Sequence, residues 1–371
     1  MKRIIKLDNA KIVIEYTSSA VGHEEFFGPL GDLFDFHDES DRFGARTWEL
    51  AESELGRITL NLALKKAGLR PSDVGIIFAG DLQNQCVATS QGLASFGIPY
   101  IGLYGACSTC GEGLLSSSVF LNSSSAVERA AVVTSSHNCA AERQFRTPIE
   151  YGGQRTPTAQ WTATAAGAFI LRRVEKNEKT KEISADISDE NFAKTTLSPI
   201  KSTKKSSETH TVYIDEVMVG KIVDGGVTDA GNMGAAMAPA AADSIESYLK
   251  ESARTPEDFD AIITGDLGRE GSEILCELLL SVGINIKKKH LDCGTLMYDF
   301  SRQDAHSGAS GCGCSASVMA SHFIPEMKKG KYKNIMFLAT GALMSPSSIQ
   351  QGGSIAGIAP VVVLRSDSDG R

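Results

Sequence analysis

Residues 73–82 read DVGIIFAGDL, and residues 259–267 read FDAIITGDL. In both stretches an apolar run ends at Gly-Asp-Leu, which is typical of a buried strand followed by a turn. An amphipathic helix pattern precedes each of them, from Trp48 to Ala67 in the first case and from Pro239 to Ser252 in the second. A similar helix and strand, found twice in one chain, predict a duplicated fold.

The repeat continues downstream in the same order. A small-residue segment opens a helix, an apolar strand follows, and a second strand closes the block with a Gly, an apolar run and an Arg. The first half carries these blocks at residues 105–109, 129–134 and 167–172, and the second half carries them at residues 308–316, 334–340 and 357–365. Matched blocks in one order indicate a duplicated βα unit.

Three regions follow from this repeat: an N-terminal half over residues 1–175, a polar connecting excursion over residues 176–210 and a C-terminal half over residues 211–371. The connection is rich in Lys, Glu, Ser and Thr, with a short candidate strand at residues 183–187. Its charge run is typical of a surface loop, and a binding tail is the less favoured interpretation.

The repeated strands are apolar at every position rather than at alternate positions, as residues 76–79 and 262–264 illustrate. That pattern is typical of central strands with helices on both faces. The small-residue helices suit a layer between two sheets, where backbones approach closely. We therefore predict an α/β fold of five layers, α-β-α-β-α, with a pseudo-twofold axis between the halves.

Composition excludes several classes of protein. The chain has 371 residues, a formal net charge of −8 and a hydrophobic fraction of 42%, which is ordinary for a globular protein with a sizeable core. The acidic balance argues against a nucleic-acid partner. Since no apolar run approaches the roughly 18 residues of a membrane helix, we expect no transmembrane helix, and the N-terminal residues do not read as a signal peptide.

Eight cysteines are too few for a disulfide scaffold in a chain of this length. Cys107 and Cys110 form a single CxxC pair, whereas a zinc site needs two such pairs. A redox pair is disfavoured because the two positions fall inside a predicted buried helix. We expect neither a metal nor a cofactor.

Residues 105–109, GACST, place Cys107 where a small-residue helix begins. Unpaired backbone N–H groups and the positive end of the helix dipole would face its thiol, which predicts a lowered pKa and a nucleophilic thiolate. Together with the five layers, this segment resembles the nucleophile turn of thiolases and β-ketoacyl synthases. The resemblance implies a thiolase-like fold.

Further strings narrow the resemblance to the stage V sporulation protein AD family, thiolase-like proteins of endospore-forming bacteria. They are LGDLFD (30–35), FAGDL (78–82), TSSHN (134–138), AERQFR (141–146), EYGGQ (150–154), MAPAAAD (237–243), SGCGCSA (310–316) and ATGAL (339–343). The family implies a protein that binds pyridine-2,6-dicarboxylate (dipicolinate) and assists its uptake into the developing spore.

The resemblance also implies partners and a location. The partners would be other spore-membrane proteins of the same uptake system, together with a second copy of the chain, because thiolase-like proteins pair through edge strands. The protein would lie in the forespore or spore, either in the cytoplasm or peripherally on the inner membrane.

A condensing site of the thiolase type needs histidine partners for its cysteine. At one partner position this chain has Asp266, whose carboxylate would repel a thiolate. His306 lies in a string similar to that of thiolases but one residue short, so it either reaches Cys107 or is an ordinary loop histidine. The thiolase second cysteine would fall near Thr340, where there is none.

We therefore expect a catalytically degenerate site that binds a ligand. The alternative is an active β-ketoacyl synthase III-like acyltransferase, with Cys107 as nucleophile and His306 as its partner. Acylation of Cys107 by an acyl-coenzyme A would distinguish the two.

Dipicolinate is a planar dianion, so its pocket needs cationic donors and flat walls. Arg143, Arg146 and Arg155 cluster beside Phe145, Tyr151 and Trp161. These arginines either bind the ligand or form structural ion pairs, and both interpretations stand. The expected ligand-binding residues are Cys107, Arg143, Arg146, Arg155 and Asp266.

Overall fold

The structure is a computed structural model that describes residues 2–145, 155–175 and 210–368. Its strands are β1 (Ile4–Lys6), β2 (Lys11–Val21), β3 (Phe36–His37), β4 (Ile76–Gly80), β5 (Tyr100–Gly102), β6 (Arg129–Ser136), β7 (Trp161–Thr162), β8 (Ala165–Val174), β9 (His210–Met218), β10 (Ala261–Thr264), β11 (His290–Asp292), β12 (Ala309–Ser310), β13 (Asn334–Leu338), β14 (Gly341–Leu343), β15 (Ala356–Ile358) and β16 (Val361–Ser368).

The helices are α1 (His23–Phe26), α2 (Trp48–Ala67), α3 (Val87–Leu93), α4 (Thr109–Ser123), α5 (Asn138–Phe145), α6 (Met233–Ser252), α7 (Gly268–Ser281), α8 (Cys293–Met297), α9 (Cys312–Val318), α10 (Ile324–Lys328) and α11 (Pro346–Gln350). A π-helical turn, Met319–Phe323, joins α9 to α10. The connecting excursion with its candidate strand at residues 183–187 lies outside the described residues.

The strand order is duplicated. In the first half the order is β5-β4-β6-β8-β2, and in the second half it is β11-β10-β13-β16-β9. The first three strands of each series are parallel and the next two are antiparallel to their neighbours. This identity of order and direction confirms that two copies of one βα unit build the fold.

The two five-stranded series are joined edge to edge rather than being separate sheets. β2 and β9 pair over two residue pairs, Ile12 with Ile214 and Val13 with Tyr213. Two short strands extend the sheet: β1 pairs with β9 beside the seam, and β3 pairs with β2 at Ala20 and Val21, at the far end of that strand.

Helices cover both faces of each series, which confirms the five layers. In β4, Ile77 and Ala79 pack with α2 and α3 on the outside, while Ile76 and Phe78 pack with the buried helices α4 and α9. The strands β10, β13 and β16 alternate in the same way between those buried helices and the outer helices α6 and α7. Both sides of a strand are therefore apolar because both sides are core.

Helix boundaries follow local capping. The sequence prediction for α2 is confirmed at both ends, with Thr47 accepting a hydrogen bond from the Leu50 N–H and Gly68 in the left-handed region at φ 64°. The prediction for α6 is wrong at its start. Asn232 accepts a hydrogen bond from the Ala235 N–H, so the helix begins before Pro239 and contains it.

The buried helix α9 touches the backbone of β8. A Cβ atom on Gly313 would lie 1.9 Å from the carbonyl oxygen of Ala165, and one on Gly167 would lie 2.4 Å from the carbonyl carbon of Ala316. Glycine at both positions permits this close approach. None of the helices in the described ranges is long and apolar enough to cross a membrane.

Candidate functional site

Cys107 lies in a tight turn between β5 and α4. The turn is a 3₁₀ segment, Ala106–Ser108, in which Ala106 has a φ of 53°. That left-handed conformation is unusual for a residue other than glycine. Two hydroxyl groups hold the turn: Ser108 donates to the Gly105 carbonyl at 2.6 Å and Thr109 donates to the Ala106 carbonyl at 2.7 Å.

The second half of the chain supplies the groups that face this thiol. The carboxyl group of Asp266 lies close enough to the Cys107 thiol to raise its pKa, and Cys107 Sγ lies 3.9 Å from Oγ of Ser310. Asp266 follows β10 and is fully buried. Its carboxylate also accepts hydrogen bonds from the Gly311 N–H at 2.8 Å and from the Thr340 hydroxyl at 2.9 Å. The site therefore exists only where the two halves meet.

The electrostatics of this site oppose nucleophilic chemistry. Burial raises the pKa of the Cys107 thiol well above its usual value, and the charge of Asp266 raises it further. Burial also raises the pKa of Asp266 to about 7, although its hydrogen bonds act in the opposite direction. The expectation of a thiolate at this helix end is wrong, because desolvation and the carboxyl group outweigh the helix dipole.

Three polar side chains of the site were not predicted from the sequence. Ser310 and Thr340 contact Cys107 and Asp266 as described above, and Gln160 donates to the carbonyl oxygen of Asp266 at 2.7 Å. The sequence does point to the position of Thr340, since the thiolase resemblance places a second cysteine near it. No sequence pattern points to Gln160, because its hydrogen-bond partner Asp266 is more than 100 residues away in the chain.

His306 contacts groups other than the thiol. Its Nδ1 lies 2.8 Å from the Thr156 carbonyl oxygen, and its Nε2 lies 2.8 Å from a carboxylate oxygen of Asp304. Both ring nitrogens thus contact groups other than Cys107. The structure does not bring this histidine to the nucleophile position.

The structure separates the predicted arginines. Arg143, which is largely exposed, forms an ion pair with Glu49 at the start of α2. Arg146 lies outside the described residues. Arg155 pairs with Asp304 at 2.8 Å, and its guanidinium lies over the ring of Trp161, 4.8 Å from the ring centre. The Nη1 atom of Arg155 is buried and has no hydrogen-bond partner in the described part of the chain.

A cavity of about 330 Å³ lies beside the start of α7, and we call it the Arg269 cavity. The guanidinium of Arg269 lies 3.7 Å from the ring centre of Phe300. Only two residues, Gly308 and Ala309, separate Ser307, in this cavity, from Ser310, which is next to the Cys107 thiol. The cavity is lined by Pro157, Arg269, Glu270, His306 and Ser307.

A larger cavity of about 490 Å³ lies at the seam of β2 and β9, with Lys11, Tyr213 and Glu216 in its wall, and contains none of the candidate residues. No group of three or more His, Cys, Asp or Glu residues within residues 2–145, 155–175 and 210–368 is arranged to hold a metal ion. All eight cysteines are free thiols.

The arrangement of strands and helices is a thiolase-like fold. Solved structures of condensing enzymes share the fold at low sequence identity. The 3-oxoacyl-[acyl-carrier-protein] synthase III of Aquifex aeolicus VF5 matches with a TM-score of 0.50 and 13% identity, over 96% of this chain and 99% of that one. The synthase III of Pseudomonas aeruginosa PAO1 matches with a TM-score of 0.50 and 14% identity, over 96% and 98%.

Comparison of the sequence identifies the family within this fold. Residues 1–365 match the family of stage V sporulation protein AD. The protein of that name from Bacillus subtilis (strain 168) is 38% identical over 353 residues, which cover 95% of this chain and 94% of that protein. The chain belongs to the stage V sporulation protein AD family.

Proposed function

We propose that this sporulation protein binds dipicolinate and assists its uptake into the developing spore, without acting as an acyltransferase. One observation carries the proposal: the cysteine turn of a condensing-enzyme fold is retained, but a buried carboxyl group, Asp266, occupies the space beside the thiol. A carboxylate there would oppose both a thiolate and a developing oxyanion.

The Arg269 cavity and Arg155 supply the chemistry that a planar dianion requires. Arg155 and Arg269 each lie against an aromatic ring, Trp161 and Phe300. Guanidinium groups pair with carboxylates in a bidentate manner, and the rings provide flat apolar surface. Glu270 also lines the cavity, so the ligand must orient its two carboxylates toward the arginines.

We expect the ion pair between Arg155 and Asp304 to be weak enough for a ligand to replace Asp304. Its side chain is 80% exposed, and an ion pair at such a surface contributes little stability. A ligand carboxylate can therefore take the place of Asp304 on the Nη2 atom of Arg155. We propose this exchange as the first contact with the ligand.

Calorimetry with dipicolinate tests the proposal. Arg155→Gln and Arg269→Gln should each weaken binding by about 2 kcal/mol or more, which is about a 30-fold rise in Kd. Arg143→Gln is the matched control, because Arg143 pairs with Glu49 elsewhere. Pyridine-2-carboxylate, which lacks one acid group, should bind more weakly. Undetectable dipicolinate binding would overturn the assignment.

The acyltransferase alternative has its own test. Incubation with an acyl-coenzyme A should leave the intact mass of the protein unchanged, and Cys107→Ala should alter ligand binding less than the two arginine changes. An acyl mass gained on Cys107 would replace the binding function with an enzymatic one.

We also propose that the protein works as a homodimer with membrane proteins of the same uptake system. β5 ends the sheet, and its three residues are exposed, including Tyr100 and Ile101. An open sheet edge of this kind is commonly covered by pairing with another chain. The spore, with the protein in its cytoplasm or peripherally at its inner membrane, is the location that fits the family.

A further inference from the structure

The end of α7 exposes large apolar side chains to solvent. Leu278 is 38% exposed, Leu280 is 59% exposed and Val282 is 53% exposed. Between them, Leu279 is 1% exposed and anchors the helix in the core. Exposed apolar side chains that lie close together in the chain, rather than scattered singly, are typical of a contact surface.

Three lysines follow a few residues later, at positions 287–289, in the turn that precedes β11. Lys287 and Lys288 are exposed, and neither forms an ion pair with any described residue. Lys289 differs, since it donates to the Phe259 carbonyl and lies near Glu257. Residues 278–290 contain these three lysines and no acidic residue, in a chain whose net charge is −8. The segment is therefore locally cationic on an acidic protein.

The turn is held firmly against the body of the protein. Ile286 is 1% exposed, and the Lys289 N–H donates to its carbonyl oxygen at 2.8 Å. The Ile284 N–H donates to the Leu279 carbonyl oxygen at 2.9 Å, closing the end of α7. The exposed leucines, valine and lysines thus belong to a structured surface, which we call the Leu280 patch: Leu278, Leu280, Val282, Lys287 and Lys288.

We propose that the Leu280 patch docks on an anionic lipid bilayer. Apolar side chains beside lysines are the combination that binds such a surface, because the side chains enter the headgroup region while the lysines pair with lipid phosphates. The acidic remainder of the molecule would be repelled by the same surface, so the patch also sets the orientation. Glu277 precedes the patch in the chain, and Asp292, which follows it, is buried.

This docking leaves the candidate ligand site free. α7 has 14 residues and begins at Gly268, next to the Arg269 cavity. At a rise of 1.5 Å per residue its two ends lie roughly 20 Å apart. None of the residues of the Leu280 patch lines the cavity, so the two surfaces can be changed independently.

Vesicle sedimentation tests the proposal. The full-length protein should pellet with vesicles of phosphatidylglycerol and phosphatidylcholine, and not with vesicles of phosphatidylcholine alone. Binding should weaken about fivefold for each lysine removed and about 25-fold in Lys287→Gln/Lys288→Gln, and high salt should release the wild-type protein. Leu280→Ser/Val282→Ser should weaken binding without removing its salt dependence.

Matched controls are available on other surfaces. Lys250→Gln removes an exposed lysine of α6, and Ile222→Ser removes an isoleucine that is 61% exposed. Both should bind the vesicles like the wild type. Equal binding to neutral and anionic vesicles, or wild-type affinity in both patch variants, would overturn the proposal. So would attachment only to membranes that contain a partner protein. Dipicolinate calorimetry on the patch variants should be unchanged, so either proposal can fail alone.

Discussion

Asp81 and Asp266 occupy the same place in the repeated Gly-Asp-Leu string, yet they have different neighbours. Asp81 accepts hydrogen bonds from the Gln83 N–H at 2.9 Å and from the Thr89 N–H at 2.8 Å, so it organises the loop after β4. Asp266 instead faces Cys107. The two equivalent aspartates therefore differ in role: Asp81 stabilises the loop after β4, and Asp266 lies beside the Cys107 thiol.

Replacing Asp266 should make the thiol more acidic. In Asp266→Asn the carboxyl charge that raises the pKa of Cys107 is removed, so the inflection of thiol alkylation should move to lower pH. Iodoacetamide labelling of the Cys107 peptide, followed by mass spectrometry across a pH series, measures this. Cys107→Ser provides the background, and an unchanged inflection would contradict the assigned influence of Asp266.

A second buried carboxyl group makes stability depend on pH. Burial raises the pKa of Glu25 from 4.5 to about 8, and the group accepts a hydrogen bond from the Tyr298 hydroxyl at 2.5 Å. The folded state therefore retains a proton that the unfolded state loses above pH 4.5. The contribution of Glu25 to the free energy of unfolding therefore falls as the pH rises from 4.5 to about 8.

Glu25→Gln should remove that dependence while keeping an oxygen for Tyr298. The free energy of unfolding of the variant, relative to the wild type, should rise by up to about 1.4 kcal/mol per pH unit across this window. Urea titrations at its two ends measure the difference. A difference that does not vary with pH would show that Glu25 ionises normally in the folded protein.

At the scale of elements, the buried helices depend on small residues. Gly313→Ala would place a Cβ atom against the backbone of Ala165, so α9 would have to move away from β8. We expect a loss of about 1–3 kcal/mol or more in the free energy of unfolding, measured by chemical denaturation. Gly56→Ala in α2 is the matched control, because its nearest neighbour would lie 4.0 Å away and alanine favours the helix.

We expect the edge strand β5 to form the interface of the proposed dimer. Ile101→Asp would place two like charges near each other if β5 pairs with its copy across a twofold axis, so the dimer should dissociate. Sedimentation velocity at micromolar concentration measures this. Ile222→Asp, at another exposed isoleucine, should leave the association unchanged. A wild-type protein that is monomeric under these conditions would refute the dimer.

The sequence predicts helices and strands better than it predicts which distant residues come into contact. The limits of α2 and the repeat of strands were readable because capping and apolar patterns are local. The start of α6 is harder to read, because its cap is Asn232 and Pro239, which usually marks a helix start, lies inside the helix. The direction of the Cys107 pKa cannot be read locally either, since burial raises it and its charged neighbour Asp266 lies in the other half of the chain. Nearness in sequence likewise did not bring Arg143 and Arg155 to one site.

At the scale of the whole molecule, the protein should behave as a peripheral membrane protein. Attachment through lysines and partner proteins is weakened by salt or by alkali. We therefore expect either treatment to release the protein from isolated spore membranes, as followed by immunoblotting of the supernatant and the pellet. Resistance to both treatments would require a covalent lipid or an integral anchor.

The contact between Cys107 and Asp266 has a consequence for the protein while it is being made. A ribosome synthesises the first half, with its cysteine, well before it reaches Asp266, Ser310 and Thr340, and N-terminal segments begin to fold first. Until the second half closes over the turn, the thiol is open to solvent and to oxidants. The newborn chain thus exposes a thiol that the mature protein buries.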